Sequence, residues 1–283
     1  MPHPEPRTVA ALTDAVLAGA HGPDPHTLHV TSAFRLYHTT RLAGGDATYH
    51  NHYVVLRTGP VFGASAFEAG ELGPDICENA SGRSLGALLR HPATPVRIAA
   101  LDAYLSHVLP HRDAPGAEPV PLPAGTPEVR ARARDAAVAS LLDIAPGAKV
   151  ALIGVVDPLV AAIHERGGVC LPCDLNRRTT QWGDPISDDM TDVLAPADAV
   201  VATGMTLSNG TFDLVLEHCR DQDVPLVVYA QTGSAVARAF LSHGVTALNA
   251  EPFPFSQFSA EPTLMHRYRS ARPAPGTVDG VAP

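Results

Sequence analysis

The chain has 283 residues, 45% hydrophobic and 17% charged, which is enough to bury one large core or two modest ones and lies in the globular range. A formal charge of −9 without a Lys/Arg cluster argues against a nucleic-acid partner, and no apolar run is long enough to cross a bilayer. The start has no basic segment followed by an apolar one, so a cytoplasmic protein is expected, and four unevenly spaced cysteines read as reduced thiols rather than a disulfide framework.

In chain order, RTVAALTDAVLAGA (residues 7–20) has the spacing of an amphipathic helix. TLHVTSAFRLYHTTRL (27–42) and TYHNHYVVLRTG (48–59) are rich in Thr, Val and Tyr and predict two strands joined by the turn AGGD (43–46). SLGALLRH (84–91) and TPVRIAALDAYLSHVL (94–109) read as helices. The Pro-rich stretch 111–127 has neither helical nor strand period and divides the chain into a domain at 1–110 and a second at 128–270, followed by a tail at 271–283. In the second half Thr126 can cap a helix with Pro127 at its first position and Glu128 in its first turn. That helix runs through VRARARDAAVASLLDI (129–144). Short apolar strands at 149–156, 169–174, 198–203, 225–230 and 245–249 then alternate with helices at 157–168, 209–221 and 233–244, which predicts a parallel, Rossmann-like sheet covered on both faces. Beyond Phe258 the sequence reads as a frayed end.

Ligands of such sheets sit beyond the carboxyl ends of the strands. That rule selects Gly154 and Asp157 after the first strand, Asp174 after the second and Gln231 after the fourth. It also selects Thr203, Gly204, Thr206, Asn209 and Thr211 in TGMTLSNGT (203–211), where glycines allow close backbone approach and polar side chains are dense. GVVDP is not a GxGxxG turn, which argues against NAD. Asp174 stands where a carboxylate grips a ribose diol, or else it caps the following segment.

Cys170 and Cys173 form a lone CxxC whose members, three apart in a strand, point to opposite faces. His50 and His52, two apart, share one strand face, with His38 at a similar depth in the preceding strand. Together with Glu68 they could hold a divalent transition metal, or they could simply line a wet sheet face.

The segments VALIGVVDPLV, PADAVVATGMTLSNGTFDLVLE and especially TGMTLSNGT make the second half resemble the Rossmann-like domain of the "putative heavy-metal chelation" family. GASAFEAGELGPDICENASGRSLGALLRHPATPVRIAALDAYL resembles its companion domain, which is similar to the N-terminal domain of enolase. YAQTGSAV departs from the glycine-proline-serine stretch expected there. The resemblance implies an α/β fold with a smaller α+β domain in front, and binding of a small molecule or metal chelate in the cleft between them. His50, His52 and Glu68 would face Asp174 and residues 203–211. The alternative is an enzyme that holds S-adenosylmethionine or a nucleoside through Asp174. The expected state is a homo-oligomer.

Overall fold

The computed structural model describes residues 6–41 and 48–270, so the turn at 43–46 and the tail at 271–283 lie outside the described residues. The first half holds α1 (Val9–Leu17), an antiparallel meander of β1 (Ser32–Arg41), β2 (Thr48–Thr58) and β3 (Val61–Phe67), and then α2 (Ile76–Ala80), α3 (Leu85–Leu88) and α4 (Thr94–Val108). The second half runs β4 (Glu118–Leu122), α5 (Pro127–Ala139), β5 (Lys149–Ile153), α6 (Asp157–Glu165), β6 (Val169–Cys173), α7 (Met190–Leu194) and β7 (Ala199–Thr203). It continues with α8 (Met205–Ser208), α9 (Phe212–Asp221), β8 (Leu226–Ala230), α10 (Ser234–Arg238), β9 (Ala247–Ala250) and β10 (Thr263–Arg269).

These second-half strands form a sheet of order β4-β10-β9-β8-β7-β5-β6. The five strands β6-β5-β7-β8-β9 are parallel, as the alternation of short apolar runs and helices predicts, and β10 pairs antiparallel with β9 and then β4 antiparallel with β10. The chain leaves β5 for β6 on one side and returns to β7 on the other, so the switch point that opens a ligand crevice lies between β5 and β7.

Two stretches differ from expectation. Glu118–Leu122, inside the Pro-rich crossing, is an edge strand, which tolerates Pro119 and Pro121 because an edge leaves alternate N–H groups unpaired. Residues 263–269, inside the stretch read as frayed, form β10 between β4 and β9. Its buried Met265, His266 and Tyr268 are too mixed in chemistry to announce a core strand.

Two threonines cap helices, Thr126 as the sequence predicts and Thr8 without such a prediction. Thr8 accepts the Ala11 N–H at 3.1 Å, and Thr126 accepts the Val129 N–H at 3.4 Å, with Pro127 and Glu128 in the first turn of α5. That helix stops at Ala139, short of the predicted 144.

One continuous core runs through both halves. Leu12, Val54, Leu56, Ile98 and Leu101 pack in the same cluster as Ala151, Val200, Val228 and Val236. At its centre α4 buries residues around its whole circumference. Gly63 of β3 presses on α4 so closely that a Cβ there would lie 2.1 Å from the Ala103 nitrogen. Asp102 of α4, 3% exposed, accepts the Ala64 N–H of β3 at 2.9 Å and the Ala235 N–H of α10 at 2.8 Å, which ties the two halves together at a buried point. Desolvation pushes its carboxyl up to about 6 despite those hydrogen bonds.

Candidate functional site

At the switch point β5 ends in Gly154, whose φ of +84° places it in the left-handed region. A Cβ there would lie 2.4 Å from Thr203 Cγ2, so only glycine lets the ends of β5 and β7 approach this closely. Tyr229 closes the point from β8 by donating its hydroxyl to the Gly154 carbonyl at 2.6 Å. Gly204 is similarly constrained, since a Cβ would lie 2.4 Å from the Thr232 carbonyl oxygen.

The polar side chains of TGMTLSNGT turn inward on their own loop. Thr206, buried, donates to the Thr203 carbonyl at 2.7 Å. Asn209 Oδ1 accepts from the Thr211 N–H at 3.1 Å and the Thr211 hydroxyl at 2.7 Å. Thr211 precedes α9 without a side-chain cap bond.

Asp174 accepts the Val155 N–H on one oxygen at 3.0 Å and the Asn176 and Arg177 N–H groups on the other at 2.8 and 3.1 Å. Its capping role is therefore realised, and most of its acceptor capacity is spent on backbone. Asp157, at the start of α6, pairs with Arg177 at 3.0 Å and also accepts the Gln181 N–H at 3.3 Å. Both aspartates thus shape the loop after β6.

Seven side chains converge beside this edge, and of these only Gln231, at the end of the strand VVYA, was picked out from the sequence. Gln231, just beyond β8, donates to Glu251 at 2.7 Å and to Gln257 Oε1 at 2.9 Å, and Gln257 donates to the Tyr53 hydroxyl at 3.4 Å. Glu251, 2% exposed, also accepts the Ser256 N–H. Arg134 of α5 pairs with the buried Asp135 at 3.0 Å. Burial works against the Arg134 charge, but the Asp135 and Glu251 carboxylates outweigh it and raise the pKa. Burial also raises Asp135, opposed by Arg134, and raises the phenols of Tyr53, to about 12, and Tyr229. Tyr53 comes from the first half and the other six from the second, so the network spans the seam. Glu251, directly after β9, could have been found by the same rule.

His50 and His52 share a face, as their spacing predicts, but it is not the face that meets the second half. The register Tyr37↔His52 and Leu56↔Gly63 puts them on the α4 side of the meander. The opposite side, bearing Tyr53 and Val55, packs on Phe255 with Phe253 and Met205. His50 Nδ1 lies 3.2 Å from Thr39 Oγ1, and His52 sits between Tyr37 and Phe67, with ring centroids at 4.5 and 5.3 Å. His38 lies on the seam side, 5.5 Å from the Phe258 ring. The expected facing of His50, His52 and Glu68 toward Asp174 and residues 203–211 is thus corrected by strand parity.

Glu68 is exposed beyond β3 and forms no metal-binding trio with the two histidines. Among the described residues no group of three or more His, Cys, Asp or Glu side chains is arranged to hold a metal ion. Cys170 and Cys173 pack in different clusters on opposite faces of the sheet. Desolvation raises their thiols to about 12 and about 11. The donors at the carboxyl edge are carboxylates, amides, phenols and a guanidinium, a set that does not fit direct ligation of a soft heavy metal.

Two cavities, of about 310 and 230 Å³, lie elsewhere, one against α2 and α3 and the other at the amino ends of β7, β8 and β9. No helix of the described residues is long and apolar enough to cross a membrane.

A comparison with curated proteins gives no match. Residues 136–250 match a family, DUF364, described as "Putative heavy-metal chelation". A crystal structure of a DUF364 protein of unknown function from Desulfitobacterium hafniense is similar at 17% identity and a TM-score of 0.57, over 84% of this chain and 85% of that one. Another, from Pyrococcus horikoshii, is similar at 14% identity and a TM-score of 0.50, over the same shares. At such identities the likeness is one of fold. Residues 136–250, which supply most of the carboxyl edge, are thus the part of the chain that is similar to the DUF364, putative heavy-metal chelation, family.

Proposed function

We propose that the chain binds a small polar ligand or a metal chelate at the seam between its halves, over the carboxyl edge of the large sheet. The observation that carries this reading is the network of Tyr53, Arg134, Asp135, Tyr229, Gln231, Glu251 and Gln257 beside the switch point at Gly154 and Thr203. Burying this many polar groups is costly unless they are paired, and open α/β sheets receive their ligands at this edge.

A chelate suits the site better than a bare ion. Its organic part would offer carboxylates to Arg134 and hydroxyl or amide groups to Gln231 and Glu251, while its own atoms would satisfy the metal. This gives the family description a physical form that needs no protein thiolate or imidazole. The nucleoside reading is less favoured, because Asp174 is already engaged by three backbone N–H groups.

Native mass spectrometry with metal analysis, on freshly purified full-length chain and its Arg134→Gln variant, tests the proposal. The chain should retain an organic mass, any metal should track it, and the variant should lose both. Metal retained without an organic mass, unaffected by Arg134→Gln and lost on replacing His50 and His52 with alanine, would move the site to the histidine pair.

A further inference from the structure

In a chain of net charge −9, residues 79–101 contain no Asp or Glu but do contain Arg83, Arg90, His91 and Arg97. The cavity of about 310 Å³ opens on this acid-free stretch, lined by Asn79, Arg83 and His91 and by the apolar Ile76, Leu88 and Pro92. It lies in the first half, apart from the seam.

The backbone around the cavity is already fixed. Gly82 donates to the Val30 carbonyl at 2.8 Å, and the Arg83 carbonyl accepts the Val30 N–H at 2.9 Å. Arg97 donates to the carbonyls of His91 and Pro92 at 2.8 and 2.7 Å and to Thr94 Oγ1 at 2.9 Å. Asn79 is anchored by donating to Asp75 at 2.7 Å, and that carboxylate is not among the lining groups.

The donors themselves are left over. The Arg83 guanidinium is exposed and has no hydrogen bond or ion pair with any described residue. His91 Nδ1 accepts the Ala93 N–H at 3.1 Å, so the neutral ring carries its proton on Nε2, where it is a donor. A forked guanidinium and one imidazole N–H match the two oxygens of a carboxylate, whereas a phosphate dianion would call for a second cation. The volume corresponds to roughly ten waters at ~30 Å³ each, and half of the wall is apolar.

We propose that this cavity is a binding site for a small monocarboxylate, its carboxylate held by Arg83 and His91 and its short apolar chain lying on Ile76, Leu88 and Pro92.

Amide NMR of the full-length chain, titrated with 4-methylpentanoate, its neutral amide and inorganic phosphate, tests this. The carboxylate should give saturable shifts at Arg83, Leu88 and His91, and the amide should give none. Arg83→Gln, on an exposed side chain, should leave the rest of the spectrum intact and weaken binding about tenfold or more, and Arg83→Lys should fall between the two. Amide binding as tight as that of the acid, undiminished binding by Arg83→Gln, tighter binding of phosphate, or the lack of any saturable shift at these residues would each overturn the proposal.

Discussion

Asp102 is a carboxyl group held between two halves of a fold. Its hydrogen bonds to Ala64 and Ala235 favour the charged form, but desolvation dominates and raises the group from 3.8 to about 6. Because the folded state then binds the proton more tightly than the unfolded one, the stabilisation is complete below the unfolded value and is lost as pH rises through about 6. Urea unfolding of wild type and Asp102→Asn should therefore show wild type losing about 3 kcal/mol relative to the variant between about pH 4 and 6, with no further drift above. A pH-independent difference would mean that the carboxyl titrates normally.

Gly154 makes a second residue-scale case. Alanine there must adopt a positive φ and displace Thr203, so Gly154→Ala should cost about 1–3 kcal/mol in thermal or urea unfolding. The sequence showed Gly154 at a strand end, and position was enough to select it. Asp174 was selected on the same ground, but its partners are backbone N–H groups that come together only when the loop after β6 closes.

Among the elements, the parallel strands and the cap at Thr126 were legible because they depend on neighbouring residues. The edge strand Glu118–Leu122 was not, because its prolines read as a breaker until a partner strand is known. Nor was β10, whose buried face mixes His266 with Met265 and Tyr268.

Both hidden strands are fastened by Arg130 of α5. This side chain, 1% exposed, donates to the carbonyls of Pro123, Ser256 and Glu261 and to Thr263 Oγ1 at 2.5, 3.1, 2.6 and 2.6 Å. Removing it leaves several buried acceptors unpaired, so Arg130→Ala should destabilise by about 3–5 kcal/mol. Hydrogen exchange should then quicken first in β4 and β10. Exchange that quickens uniformly would show that Arg130 acts on the whole fold rather than on this edge.

For the whole molecule, the sequence reading recovered the α/β class, with a mostly parallel sheet in the second half and a smaller antiparallel sheet in the first. It did not recover the network that joins them, because Tyr53, Arg134, Gln231, Glu251 and Gln257 are far apart in the chain and meet only through tertiary packing. The pairing of His50 with His52 was correct in period but silent on direction, since which face of the meander meets the second half depends on how Phe255 and Met205 pack beneath it.

Hydrogen–deuterium exchange on the chain as purified, compared with the same chain after its small-molecule content is stripped, tests the seam site most directly. The account predicts that stripping loosens residues 153–157, 203–211, 229–235 and 249–258, leaving the amides around His50 and His52 unchanged. A change confined to β1 and β2, or no difference anywhere, would contradict it.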